Sequence, residues 1–250
     1  MEIERKNFQG VLNILSFNRH FYVVGFIVLF VITAVCLYFN VSDLVIWIII
    51  LAFLYGLIMP LVISAYVYDF SGYYDFKWFK DLKIIDSPET KILNINAGFD
   101  ETSFTIDHKF PKSDLQVFDF YNSENHTEPA IIRARKVTTL YPNNSQIKTD
   151  NIPLKDNSVD VIFILSAIHE MRKNEEKVQF LKECKRVCKE NGKVIVVEHL
   201  RDLPNFFAFS VGFTHFFSKK TWLKVFKEAG FTSISERKFT PFMSIFTIQK

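Results

Sequence analysis

The sequence predicts an α/β domain with a mostly parallel sheet, placed after a hairpin of two apolar helices. Residues 21–39 and 44–68 contain no charged side chain, and from residue 71 onward short apolar runs alternate with stretches of helical periodicity. The 250 residues are 49% hydrophobic, so the chain can bury a sizeable core. The net charge of +3 is too small to form a basic stripe, so we expect no nucleic-acid partner.

The two uncharged runs are long enough to cross a membrane. At a rise of 1.5 Å per residue, about 19 residues span about 28 Å, close to the hydrocarbon thickness of a bilayer. Only residues 40–43 separate the runs, which predicts a tight antiparallel hairpin. A cleaved signal peptide is disfavoured because no clear small-residue cleavage site precedes the second run. Two buried helices of a soluble protein are the remaining alternative.

Basic residues on both sides of the hairpin predict its orientation. Those before it are Arg5, Lys6 and Arg19, and those after it are Lys77, Lys80 and Lys83. Since the connection between the runs has no Lys or Arg, the positive-inside rule places both ends in the cytoplasm. We therefore predict a two-pass membrane hairpin within residues 1–70, in contact with the lipid bilayer, and a cytosolic domain over residues 71–250.

The cytosolic part is expected to alternate strands with helices. Apolar runs predict strands at residues 91–96, 115–120, 146–149, 159–165 and 193–199. Helical periodicity predicts helices at residues 101–110, 128–140, 175–190 and 221–229. Residues 234–239 and 244–249 predict a final strand pair. Because ligands bind at the carboxyl ends of strands in an open parallel sheet, polar residues at those ends are the first candidates for a site.

Two smaller signals complete the outline of the chain. Asn191 and Gly192 follow the helical pattern of residues 175–190 and predict its end there. The three cysteines are Cys36, Cys184 and Cys188, an odd number that favours a reducing compartment. They lack zinc-type spacing and a histidine at ligand distance in the sequence, so we expect core packing for them and no metal site.

Three stretches of the cytosolic part resemble the class I S-adenosylmethionine-dependent methyltransferases. Residues 150–160, DNIPLKDNSVD, followed by VIFILSAIHEM, are similar to the acidic, Asp-Asn-Ser-containing run before that family's fourth strand. Residues 180–192, followed by KVIVVEH, resemble its helix end and fifth strand, and residues 218–231 resemble its late helix ending in Ala-Gly-Phe. The resemblance runs from about residue 73 to the C-terminus and is to the ubiquinone- and menaquinone-methylase-like type.

The resemblance implies a Rossmann-like fold with an antiparallel C-terminal strand, and S-adenosylmethionine as the cofactor. The stretch KILNINAGFDE, residues 91–101, then occupies the place of the family's cofactor loop. Asn94 stands where the family has an acidic residue, and Asn96, Gly98 and Asp100 stand where it has glycines. Asn tolerates a left-handed backbone, so Asn96 is an acceptable substitute, and Asp100 is expected to cap the next helix.

The resemblance assigns further cofactor contacts at the other strand ends. Asp119 is expected to accept hydrogen bonds from the ribose hydroxyls, because a carboxylate can accept from both hydroxyls of a diol. Asp150 and Asn151 stand where the family reads the adenine edge, and Ser166 lies near the methionine part. An ordinary strand-end turn is the alternative role for Asp119 and Asp150. We expect the backbone amides near Gly98 and the Asp119 carboxylate to bind the ligand jointly.

Three side chains are candidates for removing a proton from the methyl acceptor. His169 and Glu170 follow the fourth predicted strand, and His199 follows the fifth. Histidine titrates near neutrality, which suits a general base. The alternative is structural: His169 and Glu170 could begin the next helix, and His199 could pack or bond to the backbone.

The aromatic stretch at residues 203–217, LPNFFAFSVGFTHFF, suggests the kind of acceptor. It is either a core helix or an apolar lid over an acceptor pocket beside the bilayer. With the hairpin, it favours a hydrophobic small molecule or lipid as the methyl acceptor. Two functions stay open at this point. One is a membrane-anchored methyltransferase, and the other is a methyltransferase-like domain that binds without catalysing, which the altered loop at residues 94–100 would favour.

Overall fold

The computed structural model describes residues 5–124 and 128–250. The α-helices of this part of the chain are α1 Gln9–Phe17, α2 Arg19–Tyr38, α3 Asp43–Ser64, α4 Ser103–Lys109, α5 Pro129–Arg135, α6 Asn174–Val187, α7 Leu203–Phe209 and α8 Lys219–Glu228. The strands are β1 Lys91–Asn96, β2 Asp114–Asp119, β3 Ser145–Gln146, β4 Val159–Leu165, β5 Cys188–His199, β6 Ser233–Thr240 and β7 Met243–Gln249. Shorter helical turns of other types are Ala65–Phe70, Lys77–Leu82, Ile168–Glu170 and Ser210–His215.

The seven strands form a single sheet in the order β3-β2-β1-β4-β5-β7-β6. The pairs from β3 to β5 are parallel, and β7 runs antiparallel to both β5 and β6. The strand order reverses between β1 and β4, which is where an open parallel sheet forms a crevice at its carboxyl edge. The predicted mostly parallel sheet with an antiparallel C-terminal strand is confirmed.

Both faces of the sheet are covered, as the near-continuous apolar strands predict. In β1, Leu93 belongs to the apolar cluster under α6 and α8, whereas its neighbour Ile92 belongs to the cluster on the opposite face. On that opposite face, Phe79 from the turn Lys77–Leu82 stacks on Phe163 of β4, with ring centroids 4.9 Å apart. This two-sided packing fixes the sheet and therefore the positions of its strand ends.

The boundary between α6 and β5 differs from the prediction. We expected the helix to continue to about residue 190 and to end at Asn191 and Gly192, but it ends at Val187. The reason is tertiary: the Ser158 amide donates to the Val187 carbonyl over 2.8 Å, and Cys188 pairs with Val159 of β4. Residues 189–192 then form an irregularity before Lys193 resumes the pairing.

The N-terminal helices α2 and α3 are apolar and largely uncovered by the rest of the protein. The helical stretches Arg19–Tyr38 and Asp43–Phe70 have mean hydropathies of 2.6 and 2.7, and 6% of each apolar window is buried. By length and composition, both could cross a membrane. They pack on each other closely enough that a Cβ at Gly25 would lie 3.0 Å from the Leu57 side chain. Both helices begin within two residues of the predicted starts, and α3 ends at Ser64, four residues before its predicted end.

Helix α1 was not predicted, and it joins the N-terminal segment to the α/β domain. Its Asn13 amide donates to Glu101 Oε1 over 3.0 Å, directly after the loop that follows β1. The Phe17 ring packs edge-on against Phe99 of the same loop, with centroids 5.2 Å apart. The region before residue 70 therefore does more than form an apolar hairpin, because part of it covers the carboxyl edge of the sheet.

A second connection holds the end of the hairpin against β5. The Tyr68 hydroxyl lies 2.7 Å from His199 Nε2, and His199 Nδ1 lies 2.9 Å from the Phe242 carbonyl. A carbonyl only accepts, so Nδ1 carries the hydrogen and Nε2 accepts from the tyrosine. His199 is 6% exposed, so this bond lies in the interior.

Replacing Tyr68 with phenylalanine should destabilise the protein by about 1–3 kcal/mol, because His199 Nε2 would be left buried without its donor. Thermal unfolding of the full chain in detergent measures the loss as a lower Tm. Tyr66→Phe is the matched control, since Tyr66 is 45% exposed. Equal Tm values for the two variants would show that the Tyr68–His199 bond does not stabilise the fold.

Candidate active site at the carboxyl edge of the sheet

The parallel pairing of β1 and β2 brings two predicted site residues side by side. In this register Asn96 lies opposite Asp119, each as the last residue of its strand. Asn96 is 5% exposed and Asp119 is 5% exposed, so both polar side chains lie under the loops that follow the strands. The structure thus brings together the two strand ends that the sequence assigns to the cofactor.

The loop after β1 is shaped by its own polar side chains. Gly98 has φ +86°, a left-handed conformation, and its amide donates to Asn96 Oδ1 over 2.8 Å. Asp100 Oδ1 accepts from the amides of Thr102 and Ser103, each over 3.0 Å, as expected for a residue that caps α4. Asn96 and Asp100 therefore hold the turn around Gly98.

Asn94 serves the scaffold of the site. Its Nδ2 donates to Ser103 Oγ over 2.8 Å and to Thr102 Oγ1 over 3.1 Å, and the residue is buried. Both amide hydrogens are used inside the protein. The predicted cofactor contact of Asn94 is therefore replaced by a structural role, which is to fasten β1 to the start of α4.

An arginine occupies the space between Gly98 and Asp119. Arg135 Nη1, from the last turn of α5, lies 2.7 Å from Asp119 Oδ2, while Asp119 Oδ1 accepts from the Tyr121 amide over 2.7 Å. The guanidinium also lies 4.0 Å over the Tyr121 ring. A Cβ built on Gly98 would come within 1.7 Å of Arg135 Nη1. The guanidinium therefore fills the space left by the missing side chain of Gly98, which we call the cradle at Gly98.

The protein itself occupies the two groups that are expected to face a ligand, the Gly98 amide and the Asp119 carboxylate. In this conformation the amide bonds to Asn96 and the carboxylate bonds to Arg135. The arginine side chain is 31% exposed, whereas that of Asp119 is 7% exposed. Arg135 therefore lies on the solvent side of the pair, where a long flexible side chain can turn outward without disturbing the buried carboxylate.

Two buried polar atoms flank the same cradle. Among the residues that the structure describes, Asn96 Nδ2 and Asp100 Oδ2 have no hydrogen-bond partner. One is a donor and the other an acceptor, and they belong to residues on either side of Gly98. Buried polar groups without partners are costly, so a ligand that satisfies both would be favoured here.

The remaining predicted cofactor residues lie around the cleft without direct contact to its centre. The Ile147 amide donates to the Asp119 carbonyl over 2.9 Å, which brings the chain after β3 alongside β2. Asp150 and Asn151 follow, and both are exposed. Ser166, the residue after β4, has φ +50°, and its amide donates to the Val197 carbonyl over 2.8 Å. The chain therefore turns sharply where β4 meets the cleft.

His169 and Glu170 lie just past that turn, in a network of carboxylates. His169 Nδ1 lies 2.8 Å from Glu198 Oε2, and its Nε2 lies 3.5 Å from Glu170 Oε1. Burial lowers the pKa of His169, but the Glu198 and Glu170 carboxylates outweigh it and raise the pKa to about 10. The imidazole is then already protonated at neutral pH, so the predicted role as a general base does not fit this state.

Glu170 keeps the charge that a proton acceptor needs. Burial raises its pKa, and the neighbouring charged His169 outweighs this effect and holds the pKa below the usual value. Its side chain is 12% exposed, so the carboxylate stays within reach of a ligand. Of the predicted pair, Glu170 is the one whose protonation state suits a base.

His199 is a structural residue. Besides Tyr68 and Phe242, it contacts the Phe216 ring, stacked with centroids 5.0 Å apart. Desolvation lowers its pKa to about 4, so the imidazole is neutral but enclosed. The structure thus supports the alternative in which His199 packs and bonds to the backbone, rather than the predicted catalytic role.

Sequence reasoning missed Arg135 and His215. Arg135 lies within a predicted helix, where a charged side chain is ordinarily a surface residue. Its contact with Asp119 becomes evident only when the fold places β2 beside that helix. His215 lies in the aromatic stretch of residues 203–217, and its Nδ1 is 3.2 Å from Glu128 Oε2. Only the fold brings it to His169, with ring centroids 5.1 Å apart.

Comparisons with known proteins agree on the fold. Residues 123–196 match the family model described as a methyltransferase domain. An S-adenosylmethionine-dependent methyltransferase from Aquifex aeolicus is 20% identical, with a TM-score of 0.50, and the match covers 72% of this chain and 93% of that one. The fold is that of the class I methyltransferases.

Two further solved structures have the same class I methyltransferase fold. Human N-acetylserotonin methyltransferase, in complex with S-adenosylmethionine, is 13% identical at a TM-score of 0.50, over 80% of this chain and 58% of that one. A putative O-methyltransferase from Nostoc punctiforme is 14% identical at a TM-score of 0.50, over 78% and 60%. At these identities the likeness establishes the fold alone. No curated protein matches the sequence.

The neutral state of His199 predicts a loss of stability in acid. Its pKa is about 4 when folded and about 6.5 when unfolded, so protonation favours the unfolded chain as the pH falls from about 6.5 towards 4, by up to about 3 kcal/mol. The Tm difference between pH 7 and pH 5 should therefore be smaller for His199→Gln than for the wild type. His108→Gln is the control at an exposed histidine, and an unchanged difference in His199→Gln would contradict the assignment.

Proposed function

We propose that the protein is a membrane-anchored, S-adenosylmethionine-dependent methyltransferase that acts on a hydrophobic or lipid-like acceptor. The observation that carries the proposal is the pairing of the β1 and β2 ends, Asn96 and Asp119, at the switch point of a methyltransferase-type sheet, beside a segment that lies along an apolar helix. The first part of this observation supports the cofactor. The second supports the class of acceptor.

The residues of the cleft fit the proposed cofactor once Arg135 turns away. Asp119 would then offer Oδ2 to the ribose hydroxyls. Asp100 Oδ2 and Asn96 Nδ2, the buried atoms without partners, suit an ammonium and a carboxylate, respectively. When bound, S-adenosylmethionine supplies a sulfonium methyl group for an in-line displacement, so the protein's task is to orient the partners and exclude water.

The residues after β4 would handle the acceptor. Glu170, which is ionised and slightly exposed, can accept a hydrogen bond from an acceptor hydroxyl and take its proton. Its neighbour His169 stays charged between Glu170 and Glu198 and holds the Glu170 carboxylate in place. In this assignment Glu170 orients the acceptor and His169 is a positioning residue.

The apolar helices α2 and α3 support the anchor. Both could span a bilayer by length and composition, and the structure leaves them largely uncovered. Bringing such surface out of water is strongly favourable, and a membrane supplies the apolar environment. Basic residues precede and follow the hairpin, and its connecting turn contains no Lys or Arg. By the positive-inside rule, the N-terminus and the α/β domain would therefore lie together on the cytoplasmic side.

The aromatic segment 203–217 lies along α3 on the side of the domain. The Tyr55 hydroxyl donates to the Phe207 carbonyl over 2.7 Å. Tyr55 precedes the end of α3 at Ser64 by nine residues, which is about 14 Å along the helix axis. If α3 spans the bilayer, α7 therefore reaches the depth of the lipid chains. Leu203, Phe207 and Val211 are 72%, 59% and 79% exposed, as expected for side chains that face lipid.

A path from lipid to the cleft follows from this placement. The segment contacts α3 at Phe207, and near its end His215 lies next to His169, just after β4. An acceptor dissolved in the bilayer could move along the segment to the residues after β4 without crossing water. This route supports a lipid-phase acceptor over a water-soluble one.

A binding module without catalysis is the second candidate function, and one observation favours it. Arg135 occupies the cradle at Gly98 and pairs with Asp119, so the cleft as it stands is filled by the protein itself. If that ion pair never opens, the domain would serve as a tethered docking unit. The two candidates differ in whether the intact protein binds S-adenosylmethionine.

Removing the arginine should strengthen cofactor binding. Arg135→Ala deletes a partly exposed ion pair worth about 1 kcal/mol, so calorimetry should find S-adenosylmethionine bound about five- to tenfold more tightly than by the wild type. Lys136→Ala, which removes the same charge one residue later at an exposed position, should bind like the wild type. Asp119→Ala should bind far more weakly.

The outcomes of this titration separate the two functions. Weaker binding by Arg135→Ala would contradict the idea that the arginine competes with the ligand. An absence of binding by the wild type, Arg135→Ala and Lys136→Ala alike would overturn the methyltransferase proposal and leave the docking role.

A charge placed on the lipid-facing segment should impair methylation of a membrane acceptor. Val211→Lys, with a charge facing lipid, should lower the transfer of labelled methyl into a lipid extract by about tenfold or more, because burial of lysine in a bilayer costs about 2–3 kcal/mol. Cofactor binding should stay unchanged. Ile85→Lys is the matched control, at a position 75% exposed in the α/β domain. Equal methyl transfer by both variants would contradict entry of the acceptor from lipid.

A further inference from the structure

A cluster of two histidines and a glutamate lies at the end of the aromatic segment, beside the cofactor cleft. One nitrogen of His169, one nitrogen of His215 and one carboxylate oxygen of Glu170 all lie within 4.8 Å of one another. The side chains are 15%, 29% and 12% exposed, in the order His169, His215, Glu170. They are therefore enclosed enough to be held in place and open enough for an ion to enter.

We propose that His169, Glu170 and His215 bind one divalent transition-metal ion, of the class to which zinc belongs. Two imidazoles with one carboxylate are a donor set that zinc and iron(II) bind in proteins, and that magnesium and calcium do not favour. This site is not evident in the sequence, because the spacing of 45 residues between Glu170 and His215 matches no metal motif and only the fold joins the two segments.

The outer contacts of the two histidines fit this role. His169 Nδ1 lies 2.8 Å from Glu198 Oε2, and His215 Nδ1 lies 3.2 Å from Glu128 Oε2. Each carboxylate thus accepts the Nδ1 hydrogen and leaves Nε2 of the same ring as the ligand atom. Metal-binding histidines are held by carboxylates in this way, which fixes the tautomer and raises the affinity of the free nitrogen.

The backbone also holds the two segments together. Arg172 Nη1 donates to the carbonyls of His169 and His215, over 3.2 and 2.9 Å. This single guanidinium bridges the turn after β4 to the end of the aromatic segment. Because it uses the carbonyl oxygens, it fixes the separation of the two residues and leaves both imidazoles free for the ion.

The spacing of the ligand atoms is close to what a tetrahedral ion needs. With bonds of about 2.0–2.2 Å, ligand atoms of such an ion lie about 3.3–3.5 Å apart. His169 Nε2 and Glu170 Oε1 already lie 3.5 Å apart. A shift of about an ångström by the more exposed His215 side chain would complete the set and leave the fourth position open.

The open position suggests the function of the ion. An oxygen of the acceptor bound there would have its pKa lowered by the ion, which would ease loss of its proton at neutral pH. Binding of the ion would displace the proton from His169 Nε2, so His169 and Glu170 would both act as metal ligands and the ion would orient the acceptor. This role rests on the proposed methyltransferase function, whereas binding of the ion does not.

The test uses the untagged full chain in detergent, treated with EDTA and dialysed. Titration with Co²⁺ should give visible absorption bands that saturate at one ion per chain, and Zn²⁺ should displace it at the same stoichiometry. Glu198→Gln should weaken binding roughly 10–100-fold, as loss of an outer carboxylate does. His215→Ala should weaken it more. His108→Ala, at an exposed histidine on α4, is the control and should bind like the wild type.

Two outcomes overturn the site. One is wild-type protein that shows no cobalt bands and takes up no zinc. The other is zinc binding that His215→Ala leaves unchanged, which would place the ion elsewhere. If a variant is misfolded, as shown by the lack of a cooperative unfolding transition, X-ray absorption at the zinc edge of the wild type is used instead. Two imidazole nitrogens and a carboxylate are expected around the ion.

Binding of S-adenosylmethionine is measured on the same preparations to separate the two proposals. A chain that binds the cofactor but no metal contradicts only the metal site. A chain that binds zinc through His215 but not the cofactor keeps the metal site and contradicts the methyltransferase.

Discussion

The parallel pairing of β1 with β2 determines where the chemistry of this protein can take place. It sets Asn96 opposite Asp119, so that the loop around Gly98 and a buried carboxylate lie at the same edge of the sheet. The sheet holds these positions because both of its faces are packed, one by α6 and α8 and the other by aromatic residues before β1. Other features of the site, including Arg135 and the residues after β4, are placed relative to this edge.

Under the proposed function, the ion pair between Arg135 and Asp119 would give the cleft two states. In the observed state, the guanidinium satisfies the carboxylate and fills the cradle at Gly98. In the proposed second state, a ligand with hydroxyl groups would replace the guanidinium. A ligand that needs the open state binds with an apparent affinity reduced by the fraction of protein that is open. Arg135 is the more exposed partner of the pair, so it can turn outward without displacing the buried carboxylate.

Helix α1 and the aromatic segment connect the apolar hairpin to the α/β domain. Asn13 and Phe17 of α1 contact the loop residues Glu101 and Phe99, and Tyr55 of α3 bonds to Phe207. The cleft is thus flanked by α1, which continues into α2, and by the aromatic segment, which bonds to α3. An enzyme built in this way would receive its acceptor from lipid and its cofactor from water, at opposite sides of one site.

The strong periodic signals of the sequence predicted the sheet well. Strands β1 and β4 have the predicted bounds, because each is a largely apolar run of strand length. The end of α6 was predicted too late, since pairing of Cys188 with Val159 overrides the local helical pattern. Helix α1 was missed because its packing partner, the loop at Phe99, is about 80 residues away in the chain.

The site was less predictable than the fold, and the reason is physical. Resemblance placed Asp119 and Gly98 at the cleft, but contacts between distant segments decide what each side chain does. His199 is neutral because Tyr68 and Phe242 enclose it, and His169 is charged because Glu198 and Glu170 flank it. Arg135 and His215 look ordinary in the sequence, and only the fold brings them to the strand ends.

A structure of the full chain with S-adenosylhomocysteine tests the central claim most directly. We predict ligand density between Gly98 and Asp119, with the ribose hydroxyls on the Asp119 carboxylate and the Arg135 guanidinium turned away from it. Density absent from this cleft at saturating ligand, with the Arg135–Asp119 pair still in place, would contradict the account.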